Sequence, residues 1–106
     1  MRQASIALVA VAALMVGCGP ATKSAAGIVV AVDQASLTEI RSFTLRTETG
    51  EMLTFRIGAL DLSSGAFPAN HLREHMATAV AVAIAYTEEN GERVAVRLVD
   101  APWVEQ

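Results

Sequence analysis

Apolar residues alternate with other residues at a period of two from Gly27 to Asp100, and this alternation constrains the fold more than any other feature of the chain. Side chains on a strand point alternately to its two faces, so the pattern predicts strands with one buried face. The residues expected to face inward on successive strands are Ile28, Val30 and Val32; Ile40, Phe43 and Leu45; Leu53, Phe55 and Ile57; Val80, Val82, Ile84 and Tyr86; and Val94, Val96 and Leu98.

The segments between these strands carry recognisable turn and helix signals. The stretch 48–51 contains Gly50, which can adopt a positive φ, and Asn90-Gly91 is typical of a two-residue β-hairpin. Pro68–Met76 is predicted to be a short helix, because proline is favoured in the first helical turn. Leu72 and Met76, spaced i, i+4 on one face, are expected to close one end of the structure.

The predicted order of elements is three strands, one short helix and two strands. This is the order of an OB-fold, in which the helix closes a five-stranded barrel. We therefore expect a mainly β, OB-like barrel, which also protects the edges of such apolar strands. An SH3-like barrel and an open sheet with one helix are the alternatives, and fold alone fixes no function.

The first eighteen residues indicate where the protein is located. Arg2 is followed by the unbroken apolar run Ile6–Val16 and then by Gly17-Cys18, a pattern typical of a bacterial lipoprotein signal peptide. We expect a signal peptide in 1–17, a lipidated Cys18 with a tether to residue 26, and the barrel domain in 27–103. The alternative is an ordinary secretory signal or an uncleaved anchor, with Cys18 incidental.

This interpretation places the protein in the cell envelope, on the extracytoplasmic side of a membrane. Diacylglycerol on Cys18, with an added acyl chain such as palmitate, supplies the two or more chains that stable anchoring needs. Gly19 differs from the aspartate that commonly retains lipoproteins at the inner membrane. In a bacterium with two membranes, we therefore expect the outer membrane, facing the periplasm.

Charge and cysteine content exclude several classes of function. Removing residues 1–17 from the 106 leaves 89, enough for one small domain, and removes Arg2, so the formal net charge falls from −3 to −4. This acidic balance argues against nucleic acid as a partner. A single cysteine excludes an intramolecular disulfide. The expected partners are the membrane, through Cys18, and an unknown protein or small ligand.

The segments Gly27–Asp33 and Val80–Asp100, with the hairpin between them, resemble small bacterial extracytoplasmic OB-like proteins. These include the periplasmic copper and silver chaperones of metal-efflux systems and several lipoprotein families. The chaperones bind a soft metal through a histidine, two methionines and a tryptophan on the second and third strands. Their Trp-Pro-containing methionine motif is absent here, and only Met52 lies in the corresponding region. The resemblance therefore assigns no site residue.

Both histidines of the chain lie in His71-Leu72-Arg73-Glu74-His75-Met76. Their i, i+4 spacing puts two imidazoles on one helix face, which suits zinc or copper, with Met76 as a further ligand. The string also matches His-x-x-Glu-His, the inverzincin protease pattern, although such an enzyme needs another ligand and a cleft. Alternatively, the two histidines are solvated or capping groups at the rim of the barrel.

Other candidate residues lie on outward positions of the strands and near the end of the chain. Arg41, Arg46, Arg56 and Arg97 could form a ligand-binding stripe or could pair with nearby carboxylates. Trp103 could cap the barrel or lie at a membrane or partner surface. No glycine-rich phosphate loop and no cofactor signature is present in the sequence.

Three functional hypotheses follow from the sequence. The first is a lipid-anchored, non-enzymatic binding or interaction module that needs no cofactor. The second is a copper- or zinc-binding protein that uses His71 and His75, with Met76. The third is a small metal-dependent hydrolase, in which Glu74 would be essential.

Overall fold

The computed structural model describes residues 21–101, which form five strands and a short helical segment. The strands are β1 (Lys23–Gln34), β2 (Ile40–Thr47), β3 (Met52–Ile57), β4 (Val82–Glu89) and β5 (Glu92–Asp100). A 3-10 turn (Ala69–His71) and helix α1 (Leu72–Thr78) lie between β3 and β4. The predicted signal peptide, Cys18 and Trp103 are outside the described residues, so what was expected of them stays a prediction.

The strands close into a barrel with the order β1-β2-β3-β5-β4, and β4 pairs back onto β1. All neighbours are antiparallel except β3 and β5, which are parallel. The helix lies between β3 and β4 in the chain, as in an OB-fold. The predicted OB-like barrel is therefore confirmed, and the open sheet is excluded.

The barrel interior is filled by apolar side chains from every strand and from the helical segment. Phe43 stacks on Phe55 with ring centroids 5.2 Å apart, and Tyr86 meets Phe55 edge-on at 5.1 Å. The buried cluster contains Val29, Ile40, Phe43, Leu45, Leu53, Phe55, Phe67, Leu72, Val82, Ile84, Ala95 and Leu98. Most of these residues are ones that the alternation pattern predicts to face inward.

The prediction for β1 was wrong in its inner face and in its start. Val29 is the fully buried residue, whereas Ile28 and Val30 are only half-buried. A β-bulge between Val29 and Ala31, in the pairing with β2, changes which face the side chains occupy, so Val32 again packs on the core. The strand also begins at Lys23, so residues 23–26, expected in the tether, pair with β4.

The residues predicted to face inward also differ from the observed ones at the start of β4 and in the middle of β5. Val80 lies before β4 begins and is 47% exposed, so it does not belong to the core. Ala85 pairs with Arg97 and Tyr86 with Ala95, so Val96 is the extra residue of a bulge in β5. As a result Ala95 is fully buried, and Val96 is only half-buried although it was expected to face inward.

Helix α1 closes one end of the barrel with two buried side chains, of which the sequence predicted only one. Leu72 is completely buried, as expected, but Met76 is 38% exposed. His75, expected at a solvated rim, is buried at 4% exposure and occupies the inner position one turn after Leu72. Ala79 then adopts a left-handed conformation with φ of 57° and ends the helix. No helix within residues 21–101 is long and apolar enough to cross a bilayer.

The loop after β3 is attached to β5 by Arg97. Its guanidinium donates to the Ser63 hydroxyl at 3.0 Å and to the Ser64 carbonyl, and lies 3.5 Å from Asp61 Oδ2. Asp61 also accepts a hydrogen bond from the Ser63 backbone N–H at 2.9 Å. Hydrogen bonds from the Ser63 hydroxyl and backbone N–H, with the nearby charge of Arg97, lower the pKa of the Asp61 carboxyl.

We expect the free energy of unfolding of Asp61→Asn to depend less on pH in the acid range than that of the unaltered protein. The folded state lowers the pKa of Asp61. The ionised carboxylate therefore stabilises the protein at pH values above its unfolded pKa of about 3.9, and this stabilisation is lost as the pH falls through the pKa of the folded state. The measurement is urea unfolding of both proteins between pH 2 and pH 6. Parallel stability curves for the two proteins would show that these contacts do not favour the ionised form.

Candidate functional site

A groove with both polar and apolar lining residues crosses the outer face of β2 and β3. Two adjoining cavities of about 400 and 470 Å³ share Arg41 and Arg56, so the groove runs from the loop after β1 to the Gly91 turn. Its polar lining includes Ser42, Thr54 and Arg93. In the register of β2 and β3, Ser42 pairs with Arg56 and Thr44 pairs with Thr54. The outward side chains of these two neighbouring strands form the floor of the groove.

The two shared arginines are held by ion pairs at the surface. Arg41 Nε lies 3.5 Å from Asp33 Oδ2, and Arg56 Nε lies 3.2 Å from Glu92 Oε1. A terminal nitrogen of Arg56 also lies 3.6 Å from Glu89 Oε1. The side chains in these pairs are about half exposed to solvent. Exposed pairs of this kind contribute only about 0–1 kcal/mol each, so other carboxylates can replace these partners at low cost.

Hydroxyl groups, not aromatic rings, accompany the arginines in the groove. Ser42 and Thr54 line it, and the Thr54 hydroxyl shares a hydrogen bond of 3.0 Å with the hydroxyl of Thr44, which is not a lining residue. The phenylalanine and tyrosine rings in residues 21–101 belong to the core or pack against it. OB-folds that hold single-stranded nucleic acid stack bases on exposed aromatic side chains. The groove therefore provides charge and hydrogen bonds to a ligand.

A second polar group of side chains lies beside α1 and brings the two histidines together. His71, His75 and Asp100 each present a ligand atom, and these atoms all lie within 4.8 Å of one another. The shallow cavity around them has a volume of about 270 Å³ and is also lined by Glu74, Thr78 and Val80. The i, i+4 spacing predicts the histidine pair, whereas Asp100 reaches it from the end of β5.

Sequence reasoning found some of these residues and missed others. Arg41 and Arg56 of the possible arginine stripe line the groove, but Arg97 holds the loop after β3, and Arg46 is not among the residues that line the groove. Asp100 was not expected near the histidines. No local signal indicates it, since only the closure of the barrel brings the end of β5 to the end of α1.

Comparison of the chain with protein-family models, curated proteins and solved structures finds no match.

Proposed function

We propose that the protein is a lipid-anchored, non-enzymatic binding module on the extracytoplasmic side of a membrane. Its ligand would be rich in carboxylates and hydroxyls, as an acidic oligosaccharide is, and would lie in the groove on β2 and β3. The observation that carries this proposal is that Arg41 and Arg56 line both halves of one continuous groove. Guanidinium groups bind carboxylates through two parallel hydrogen bonds, which gives geometric specificity as well as charge.

The chemistry of the groove favours exchange of carboxylates over catalysis. Asp33, Glu89 and Glu92 already show that carboxylate oxygens fit beside these guanidinium groups. A ligand carboxylate can take the place of one of them without leaving a buried charge, because the pairs are solvent-exposed. Neither histidine lines the groove, so its hydroxyl groups have no imidazole base beside them in the described structure.

The proposed anchor would hold this groove close to the membrane. Lys23, the first residue of β1, follows Cys18 by five positions. Five residues span at most about 18 Å even when fully extended. The lipid on Cys18 would therefore confine the barrel to the layer next to the membrane, or next to the outer membrane on its periplasmic side in a bacterium with two membranes.

The binding proposal predicts selective loss of affinity when the shared arginines are neutralised. We expect oligogalacturonate to bind the full chain in detergent. Arg41→Gln together with Arg56→Gln should weaken this binding about five- to thirtyfold, since two exposed charge pairs worth up to about 1 kcal/mol each are lost. The measurement is isothermal titration calorimetry at low and moderate salt. Neutral malto-oligosaccharides of equal length should bind much more weakly.

Arg46→Gln is the matched control, because Arg46 is an outward arginine of β2 that does not line the groove. It removes one positive charge, against two in the double variant, and should leave the affinity nearly unchanged. An equal loss in Arg46→Gln would indicate only a general charge effect. Equal affinity for charged and neutral saccharides, or no binding of either, would contradict the proposal.

A further inference from the structure

The cluster of His71, His75 and Asp100 is separate from the groove, and its hydrogen bonds point to a specific ligand. His75 is the one buried polar or charged residue among the described residues. Its Nδ1 lies 2.8 Å from the Val80 carbonyl oxygen, and its Nε2 lies 2.8 Å from Asp100 Oδ1. Both neighbours are oxygen atoms that accept hydrogen bonds.

The contact with Val80 determines which nitrogen of the neutral His75 ring carries its proton. A carbonyl oxygen cannot donate a hydrogen, so Nδ1 of His75 carries the proton of the neutral ring. The lone pair of Nε2 then lies on the side of the ring that faces the Asp100 carboxylate. With His71, these groups present three ligand atoms within 4.8 Å of one another.

The hydrogen bond to Val80 is of the kind that prepares a histidine for metal binding. Histidines that bind metals commonly donate the other ring N–H to a carbonyl or carboxylate, which fixes the tautomer and the ring orientation. His71 has the same type of partner, since its Nδ1 lies 3.1 Å from Glu74 Oε1. Nε2 of each histidine therefore remains for a metal.

We propose that His71, His75 and Asp100 form a binding site for a divalent transition metal, zinc or copper(II). Two imidazole nitrogens and one carboxylate oxygen are ligands that both ions accept, and water would complete a four-coordinate site. Val80 and Glu74 act on the site by orienting the two histidines. This site is independent of saccharide binding and would add a metal to the function of the module.

Asp100 replaces Met76 as the third ligand in this proposal. Met76 follows His75 directly on α1, and consecutive helical residues point about 100° apart around the axis. Asp100 comes from a different element and already contacts His75. An N2O ligand set without sulfur favours zinc or copper(II) over copper(I), which prefers thiolate and thioether ligands.

The three ligand atoms lie within 4.8 Å of one another, so a metal fits this cluster once Asp100 and His71, the two more exposed side chains, adjust their positions. Zinc binds nitrogen and oxygen ligands at about 2.0–2.2 Å, so tetrahedral ligand atoms lie about 3.3 Å apart. The observed distance of 2.8 Å between His75 Nε2 and Asp100 Oδ1 must therefore increase by about half an ångström. The Asp100 side chain is 71% exposed and has room for that movement, while buried His75 stays in place.

Metal titration of the full chain in detergent tests the proposal. Native mass spectrometry and calorimetry with zinc and copper(II) should show one metal per chain at micromolar concentration. His71→Ala and Asp100→Asn, which alter exposed or half-exposed ligands and leave His75 in the core, should each weaken binding at least about tenfold, as loss of one ligand does. Met76→Leu is the matched control on the same helix and should bind as the unaltered chain does.

Nitrogen-15 spectra of the histidine rings distinguish a metal from a second proton. Metal binding should shift the Nε2 resonances of both His71 and His75 and leave Nδ1 of each ring protonated. Absence of binding at micromolar metal, with His75 doubly protonated, would overturn the proposal and assign the cluster to an ion pair. Equal binding in His71→Ala and Asp100→Asn would also overturn it.

Discussion

Phe55→Ala is expected to destabilise the domain by about 3–5 kcal/mol, the usual cost of removing a large aromatic side chain from a core. Phe55 is completely buried near the centre of the barrel. It stacks on Phe43 of the paired strand and receives the edge of Tyr86 from β4. Its removal leaves a cavity that rigid, hydrogen-bonded strands cannot close.

The loss is large compared with the whole stability of such a domain. Single domains are stable by about 5–15 kcal/mol, and a domain this small buries proportionally less surface than a large one. Urea unfolding followed by circular dichroism should show a much lower midpoint for Phe55→Ala, or a chain unfolded without denaturant. Thr54→Ala, one residue away on the outer face, should cost only about 1 kcal/mol through its hydrogen bond with Thr44. Similar midpoints for the two variants would contradict this description of the core.

The order of the elements could be predicted from the sequence because each signal is local. Alternation marks the strands, and the two hairpin turns are marked by their glycines. Gly50 has a φ of 88°, and Asn90 and Gly91 have φ of 52° and 82°, as a type I′ turn requires. These signals determine which segments pair, and the five-stranded barrel follows from their order.

The inner face of two strands could not be predicted because β-bulges change it. One extra residue in a strand exchanges the inner and outer faces of everything beyond it. Neither the bulge after Val29 in β1 nor the one at Val96 in β5 has a glycine or proline to mark it. The distinction between Val29 and its neighbours, or between Ala95 and Val96, depends on how the closed barrel bends its strands.

The histidine cluster was predicted only in part, for a different physical reason. The i, i+4 spacing places His71 and His75 together, but the helical pattern also allowed Leu72 and Met76 as the buried pair. Leu72 and His75, spaced i, i+3, take the inner positions. The buried imidazole has polar partners at both nitrogens, the Val80 carbonyl at Nδ1 and the Asp100 carboxylate at Nε2, and both partners come from outside the helix. Such partners are visible only once the barrel is closed.

Gly27→Ala is expected to cost about 3 kcal/mol, at the upper end of what overcrowding a packed site usually costs. Gly27 is where β1 changes partner: it is aligned with Thr47 of β2 and with Val82 of β4. A β-carbon there would overlap with the Arg46 carbonyl oxygen and would lie 2.9 Å from the carbonyl carbon. These are backbone atoms of a hydrogen-bonded strand, so β1 and β2 would have to separate.

Gly50→Ala separates this steric effect from the general effect of replacing a glycine. Gly50 has a φ of +88° but no atom within 4 Å of the position that a β-carbon would occupy, so its cost is conformational alone, about 1 kcal/mol. Urea unfolding should therefore rank Gly27→Ala well below Gly50→Ala in stability. Hydrogen exchange should show the lost protection in Gly27→Ala concentrated where β1 meets β2 and β4. If Gly50→Ala is the less stable variant, then β1 at Gly27 does not lie as close to the backbone of Arg46 in β2 as the described barrel requires.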